Sequence, residues 1–249
     1  GHRLAAYASG ARGQFRAALR HLDEAQESDV DSDIEARSLI VATPGAPFDS
    51  ATVAQTRLAV ERWQPTYLRD PDQTLDEIAA GRAHALLRLH RLGLIALRAG
   101  DTASAAKAAT RLERIADPDS ETTETAAALA QSLRARLAAA AGDSARALDL
   151  LEQAQWTHMG RIAAAEPLDR LLHADLLAAT GRHKDALRWY ATLGLGAPQE
   201  LPLVGFAALG MARTSERMGD RSEAARHYRR VVELWRNADP ALQTLAAAA

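Results

Sequence analysis

The amino-acid sequence predicts an all-α fold built from antiparallel helix pairs, and three observations support this class. Alanine is abundant and aromatic residues make up only 4% of the 249 residues, a composition that favours closely packed helices. Glycine recurs at five positions, each with an alanine five residues later. Apolar residues then follow nine and twelve residues after the glycine, on the same helical face as that alanine. A pattern that recurs in this way predicts a repeated structural unit.

Each repeated unit is expected to contain two helices joined by a turn at the glycine. Glycine adopts the left-handed conformation that ends many helices, and an aspartate or serine after it can cap the second helix. Alanine at the fifth position keeps the two helices close, because a larger side chain would push them apart. The aligned residues are Gly13 with Ala18, Gly100 with Ala105, Gly142 with Ala147, Gly181 with Ala186, and Gly219 with Ala224.

Six such units are expected along the chain. The second is degenerate, with a helix near 31–41, a turn within 42–50 and a helix over 51–63, since proline and glycine interrupt the middle stretch. The connections at 64–73, 116–124 and 194–202 are polar or contain proline. The units are placed at 1–27, 31–63, 75–115, 122–156, 166–194 and 203–237, within a single domain over 1–249.

This arrangement resembles the tetratricopeptide repeat (TPR). That family has glycine at the turn, a small residue early in the second helix, a bulky residue one turn later and proline at the exit, and the resemblance is strongest in 181–240. It implies a right-handed α-α superhelix, or solenoid, of about six divergent TPR-like helix pairs. The repeats are divergent because the last four turn glycines lie 42, 39 and 38 residues apart, whereas the family period is about 34.

A second resemblance concerns the C-terminal part of the chain. It is similar to the C-terminal repeats of large bacterial regulatory proteins in the stretches "GRHKDALRWY" (181–190) and "HYRRVVELWRNADP" (227–240). In those proteins the repeats follow a serine/threonine kinase, a nucleotide cyclase or a DNA-binding transcriptional activator. The resemblance implies that the chain is a fragment of a longer protein with such an effector upstream, and it implies no effector activity in the chain itself.

Composition and charge exclude several classes of partner and site. The formal charge is -2, from 30 basic and 32 acidic residues, so we expect no direct contact with nucleic acid. The absence of cysteine excludes disulfides and thiolate metal sites. No apolar stretch is long enough to span a bilayer, and we expect a cytoplasmic location.

No motif for catalysis or cofactor binding is found in the sequence. His84 and His90 lie six residues apart without a carboxylate at metal-ligand spacing. The glycines of 9–15 lack the preceding strand and the following lysine of a phosphate loop. Paired carboxylates, as at 23–24 and at 117 and 119, fall on helix ends or loops. We therefore expect a protein that is not an enzyme and that holds no metal or cofactor.

Two further features leave alternatives open. The acidic run at 21–35 either offers a patch to a basic partner or keeps a linker soluble. The four tryptophans lie near the ends of second helices, where they either pack against the next unit or form ligand cages. They are Trp63, Trp156, Trp189 and Trp235.

The superhelix implied by the TPR resemblance has a concave groove lined by the first helices, which holds a peptide or helix of a partner protein. This predicts an interaction scaffold that binds a peptide with a hydrophobic anchor and an acidic group, the arginines making paired contacts to carboxylate. The family's groove positions, carried onto this chain, are Leu87, His90, Leu94, Arg98, Leu129, Ser132, Arg136, Leu168, Leu171, Asp175, Phe206, Leu209, Arg213 and Arg217.

Three alternatives to this scaffold hypothesis follow from the same residues. In the first, the groove charges only solvate the inner face. In the second, the chain is a sensory or regulatory arm that binds a ligand or an attached effector module and controls its activity. In the third, the array self-associates through an uncapped end face at 242–249, since repeat arrays need a polar terminal cap.

Overall fold

The computed structural model describes residues 1–25, 30–64, 75–115, 120–153 and 166–248. Throughout this part of the chain the secondary structure is helical with no β-strand, which confirms the all-α class. Several predicted features lie outside the described residues. They are Trp156, Asp117, Asp119, residues 26–29 of the acidic run, most of the connection at 64–73, and residues 116–119 of the connection at 116–124.

Successive helices of the described residues pack as adjacent pairs. In chain order they are α1 (His2–Ala11), α2 (Phe15–Asp23), α3 (Val30–Ala42), α4 (Ser50–Arg62), α5 (Leu75–Arg98), α6 (Thr102–Glu113), α7 (Ser120–Ala140), α8 (Ser144–Gln153), α9 (Glu166–Ala179), α10 (His183–Ala191), a 3-10 helix (Pro198–Leu203), α11 (Val204–Arg217), α12 (Arg221–Leu234) and α13 (Pro240–Ala247).

Two of the predicted connections contain helical residues. Helix α5 begins at Leu75, the first residue of the third expected unit, and α7 begins at Ser120, inside the predicted connection at 116–124. The first turn of α7 contains Glu121, whose negative charge favours a helix N-terminus. The connection at 194–202 contains the 3-10 helix, which begins at Pro198, a residue suited to the first turn of a helix.

The turns between paired helices have the predicted chemistry. All five aligned glycines have positive φ, between 70° and 83°. The residue after each glycine donates its N–H to the carbonyl five residues earlier, as from Asp143 to Ala138 at 2.9 Å, which is the bond of a Schellman motif. Asp101, Asp143 and Asp220 cap the second helices by accepting from an N–H three residues later. The five alanines are at most 5% exposed, which confirms their packing role.

The described residues fall into two compact units. The central unit comprises Asp29–Ala42 and Ser50–Glu166, and the terminal unit comprises Gly1–Ser28, Thr43–Asp49 and Pro167–Ala249. The single domain over 1–249 stays a prediction.

The central unit contains helices α3 to α8. Gly93 of α5 lies against Leu133 of α7, since a Cβ at residue 93 would be 2.5 Å from that side chain. Glycine therefore allows these two first helices to approach closely. Arg88 of α5 donates from Nε to the carbonyl of Val60 in α4 at 2.8 Å. Trp63 is buried, with its ring centroid 5.2 Å from that of His84.

The terminal unit contains α1, α2, residues 43–49, most of α9, and the helices after it. A buried ion pair joins Arg170 of α9 to Glu200 of the 3-10 helix. Glu200 also accepts from the N–H groups of Gly194 at 2.9 Å and Gly196 at 3.2 Å. These bonds hold the connection between α10 and α11 against α9.

Within the terminal unit, the first helix pair packs against the last. The N–H of Asp239 donates to the carbonyl of Gly13 at 3.0 Å, and its carboxylate accepts from the N–H of Arg16 at 3.2 Å. Gln14 donates from Nε2 to the carbonyl of Asn237 at 3.0 Å. We call this contact, formed by these five residues, the clasp. In a linear stack each repeat contacts only its chain neighbours, so the repeat pattern did not predict it.

An aromatic cluster adjoins the clasp. Phe15 lies with its ring centroid 5.9 Å from that of Phe48 and 6.0 Å from that of Phe206, and Phe206 lies 5.2 Å from Trp235. Phe15 and Trp235 are at most 1% exposed. A Cβ at Gly205 would lie 2.3 Å from Trp235 Nε1, so glycine leaves the space that the indole fills.

Candidate functional site

Most of the predicted groove positions lie in the core. Because the apolar face of a first helix packs against neighbouring helices, these side chains have no surface left for a peptide. These residues, predicted to line a groove, are therefore core residues. The eight residues, each at most 5% exposed, are Leu87, His90, Leu94, Leu129, Ser132, Leu168, Leu171 and Leu209.

His90 and Ser132 are the two polar residues of this set, and both are fully buried. The Nε2 atom of His90 is hydrogen-bonded to Ser132 Oγ at 3.0 Å, and the His90 side chain is 0% exposed. Burial, reinforced by the charges of Arg91 and Arg136, holds the pKa of His90 well below its ordinary value. His90 is therefore a neutral core residue that joins α5 to α7.

Three other predicted positions are half-buried. Arg98 and Arg136 belong to the central unit, and burial lowers the pKa of Arg98. Phe206 belongs to the aromatic cluster of the terminal unit, where its contacts with Phe15 and Trp235 account for its side chain. None of these three side chains is freely available to a partner.

The three tryptophans that the structure describes pack against other side chains of the protein. Trp63 and Trp235 are at most 3% exposed, which confirms their core role. Trp189 is half-buried and stacks on His173, with ring centroids 4.4 Å apart.

The remaining predicted positions, Asp175, Arg213 and Arg217, are exposed and belong to the terminal unit. Two tyrosines complete the cluster, Tyr190 of α10 and Tyr228 of α12, because their pKa values respond to the charges of both arginines. We name these five residues the arginine face.

Asp175 of α9 is held by Tyr190. The Tyr190 hydroxyl donates to Asp175 Oδ1 at 2.5 Å. Although Asp175 is partly exposed, desolvation raises its pKa, and the bond from Tyr190 and the charge of Arg213 oppose that rise. Burial, followed by the charge of Asp175, raises the pKa of Tyr190. The tyrosine thus remains a hydrogen-bond donor at neutral pH.

The last helix pair repeats this arrangement. The Tyr228 hydroxyl donates to Glu216 Oε2 at 2.8 Å, across the pair formed by α11 and α12. Burial and the bond to Glu216 raise the pKa of Tyr228. Each tyrosine therefore binds a carboxylate on the first helix of its own pair.

Arg213 and Arg217 form no ion pair with any described residue. They lie four residues apart on α11, so they share one helix face and their Cβ atoms are about 6 Å apart. The nearby carboxylates of Asp175 and Glu216 accept bonds from tyrosines instead. Two guanidinium groups are consequently presented together to solvent.

Gly210 of α11 allows α10 and α11 to approach closely. A Cβ at this position would lie 2.4 Å from Tyr190 Cζ. Glycine therefore lets Tyr190 pass beside α11 and reach Asp175. Neither the role of Gly210 nor the two tyrosine–carboxylate pairs were predicted from the sequence. The sequence contained one signal for these pairs. Of the five aligned repeats, only the last two have a tyrosine nine residues after the turn glycine.

The two tyrosines of the arginine face are hydrogen-bond donors to carboxylates. Neither tyrosine is activated, because each has a raised pKa and donates to a carboxylate. Among the described residues no group of three or more His, Cys, Asp or Glu side chains could hold a metal ion. In the same part of the chain, no helix has the length and apolar character needed to cross a membrane.

Comparison with known proteins adds no identification. No family model matches the chain, and neither a curated protein nor a solved structure matches it. The resemblance to the tetratricopeptide repeat accordingly rests on the turn glycines, the following alanines and the bulky residues after them.

Proposed function

We propose that this chain is a non-catalytic, TPR-like interaction module, with its helix pairs stacked as a right-handed superhelix, and that its arginine face binds an acidic peptide of a partner protein. The observation that carries the proposal is the presence of two exposed arginines, Arg213 and Arg217, on one helix face without an ion pair among the described residues. Guanidinium groups bind carboxylates through paired, charge-assisted hydrogen bonds.

The neighbouring tyrosines support this proposal. Asp175 of α9 and Glu216 of α11 are the nearby carboxylates that could form ion pairs with the two arginines. Instead, Asp175 accepts from Tyr190 and Glu216 accepts from Tyr228. The tyrosines thus keep two carboxylates in place and leave both guanidinium groups open to a carboxylate from outside.

The proposal narrows the predicted binding surface. The aliphatic positions first assigned to a groove are buried, so the hydrophobic anchor of a peptide cannot bind them. Recognition on this face is therefore electrostatic, and we expect affinity to fall as salt is raised.

The test is a peptide-binding titration with the full chain. A fluorescent peptide with two glutamates one helical turn apart is compared with its glutamine counterpart, and only the first is expected to bind. The double substitution of Arg213→Glu and Arg217→Glu removes two charge-assisted contacts to the peptide, each of at least about 1.5 kcal/mol. The affinity for the glutamate peptide should therefore fall about 100-fold or more. A peptide with lysine in place of glutamate should bind this variant.

Arg20→Glu provides the matched control, since Arg20 is an exposed arginine of α2 in the same unit. It changes the net charge in the same direction, and it should leave the affinity unchanged. If Arg20→Glu weakens binding as much as a single arginine-face substitution, the interaction depends on overall charge and the assignment is wrong. Unchanged affinity in the double variant would also refute it.

A further inference from the structure

A second cationic site lies where the first helix pair meets the last. The terminal unit contains a cleft of about 520 Å³ beside the clasp. Its walls include Arg12, from the turn after α1, and Arg230 and Arg236, from α12 and the residues after it. The clasp hydrogen bonds from Gln14 to Asn237 and from Asp239 to Gly13 hold these two parts of the chain together.

The cleft carries an excess of positive charge. Three arginines and one glutamate, Glu233, line it, so positive formal charges outnumber negative ones by three to one. None of the three guanidinium groups forms an ion pair with a described residue, and neither does Glu233. The single carboxylate of Glu233 offsets only part of the positive charge of the three arginines, and a bound anion would offset the remainder.

The shape of the cleft favours a small ligand over a peptide. Its volume is within the range of small-molecule sites, about 300–1,000 Å³, and all three arginines line this one cleft. Guanidinium groups bind phosphate oxygens in pairs. Leu234 adds an apolar wall for the carbon part of such a ligand.

We propose that this cleft binds a small phosphorylated molecule with at least two negative charges. Such a ligand contacts Arg12 on one side and Arg230 and Arg236 on the other, so it bridges the first and last helix pairs. Since it binds only when the clasp is formed, it stabilises the folded terminal unit by mass action. This site is separate from the arginine face and gives the module a response to a small ligand.

The experiment uses the full chain with inorganic pyrophosphate as the probe. Isothermal titration calorimetry should give saturable binding, and thermal unfolding should shift upward with pyrophosphate concentration, relative to sodium chloride of the same ionic strength. The variant with Arg230→Gln and Arg236→Gln should bind at least about tenfold more weakly for each guanidinium removed. Circular dichroism checks that this variant is folded.

Arg229→Gln is the matched control, because Arg229 neighbours Arg230 but does not line the cleft and donates to the carbonyl of Ala225. It should bind pyrophosphate like the unmodified chain. The variant with Arg213→Glu and Arg217→Glu should also retain pyrophosphate binding, which separates this site from the proposed peptide site.

Three results would overturn the proposal. The first is the absence of saturable heat and of any thermal shift beyond the effect of salt. The second is equal binding by the Arg229 variant and by the variant at 230 and 236. The third is binding of a glutamate-rich peptide in the cleft that pyrophosphate does not displace, because the site would then recognise a protein.

Discussion

Replacing Gly13 by alanine measures how much the clasp contributes to stability. Gly13 has a φ of 70°, and a Cβ there would lie 2.7 Å from Ala238 Cβ and 2.8 Å from Trp235 Cδ1. Both of those contacts belong to the last part of the terminal unit. The substitution therefore forces the first helix pair away from the last.

The free-energy change has two components. The left-handed conformation costs an alanine about 1–2 kcal/mol, and overpacking in a closed interior costs a further 1–3 kcal/mol or so. Gly181→Ala supplies the reference, because Gly181 has a φ of 82° in the same unit and a Cβ there meets nothing within 4 Å. Only the conformational component applies to it.

The assay is urea unfolding of both variants and the unmodified chain, followed by far-ultraviolet circular dichroism and tryptophan fluorescence. Gly13→Ala should lower the free energy of unfolding by about 1–3 kcal/mol more than Gly181→Ala does. Equal losses in the two variants would refute the reasoning, since they would mean that Gly13 is not packed against Trp235 and Ala238 in solution.

Two further outcomes are expected from single substitutions. Tyr190→Phe removes the donor to Asp175 and should lower the free energy of unfolding by about 1–3 kcal/mol. Tyr228→Phe, at a less buried site, should cost less, and equal costs in urea unfolding would contradict the role of burial. The pKa of His90 is held well below its ordinary value of 6.5, so below that pH the unfolded chain binds a proton that the folded chain excludes. Stability should therefore fall as the pH drops below about 6.5. His90→Gln should show a shallower fall when unfolding is measured at about pH 7.5 and pH 5, and an unchanged slope would contradict this assignment.

The arginine face and the cleft differ in the way they depend on the fold. Arg213 and Arg217 are neighbours on one helix, so their proximity needs only α11. Arg12 meets Arg230 and Arg236 only because the clasp joins the two parts of the chain. A substitution that breaks the clasp hydrogen bonds should therefore lower the affinity for pyrophosphate more than the affinity for a peptide on the arginine face.

Burial explains why the groove prediction selected core residues. The positions at Leu87, Leu94 and Leu129 were transferred from a family whose first helices line a groove, yet here those side chains are at most 5% exposed. The repeat pattern reports which residues share a helix face, whereas exposure depends on what packs against that face. Similarly, Leu242 and Ala246 of the C-terminal segment are buried and are not part of an exposed end face; self-association itself stays a prediction.

The sequence by itself determined the helix pairs and their turns. The interactions that specify them are local: a glycine with positive φ, a cap from an aspartate three residues before the bonded N–H, and an alanine on the same face. The residues of each such set lie within one helix pair, so their spacing is visible in the sequence.

Only the tertiary structure decided the features that bear on function. The two side-chain hydrogen bonds of the clasp join residues 223 positions apart, and no local pattern records such a separation. The tyrosine–carboxylate pairs depend on the close approach that Gly210 permits. Arg213 and Arg217 have no ion pair among the described residues because the neighbouring carboxylates accept hydrogen bonds from tyrosines. Those hydrogen bonds depend on packing and not on sequence spacing.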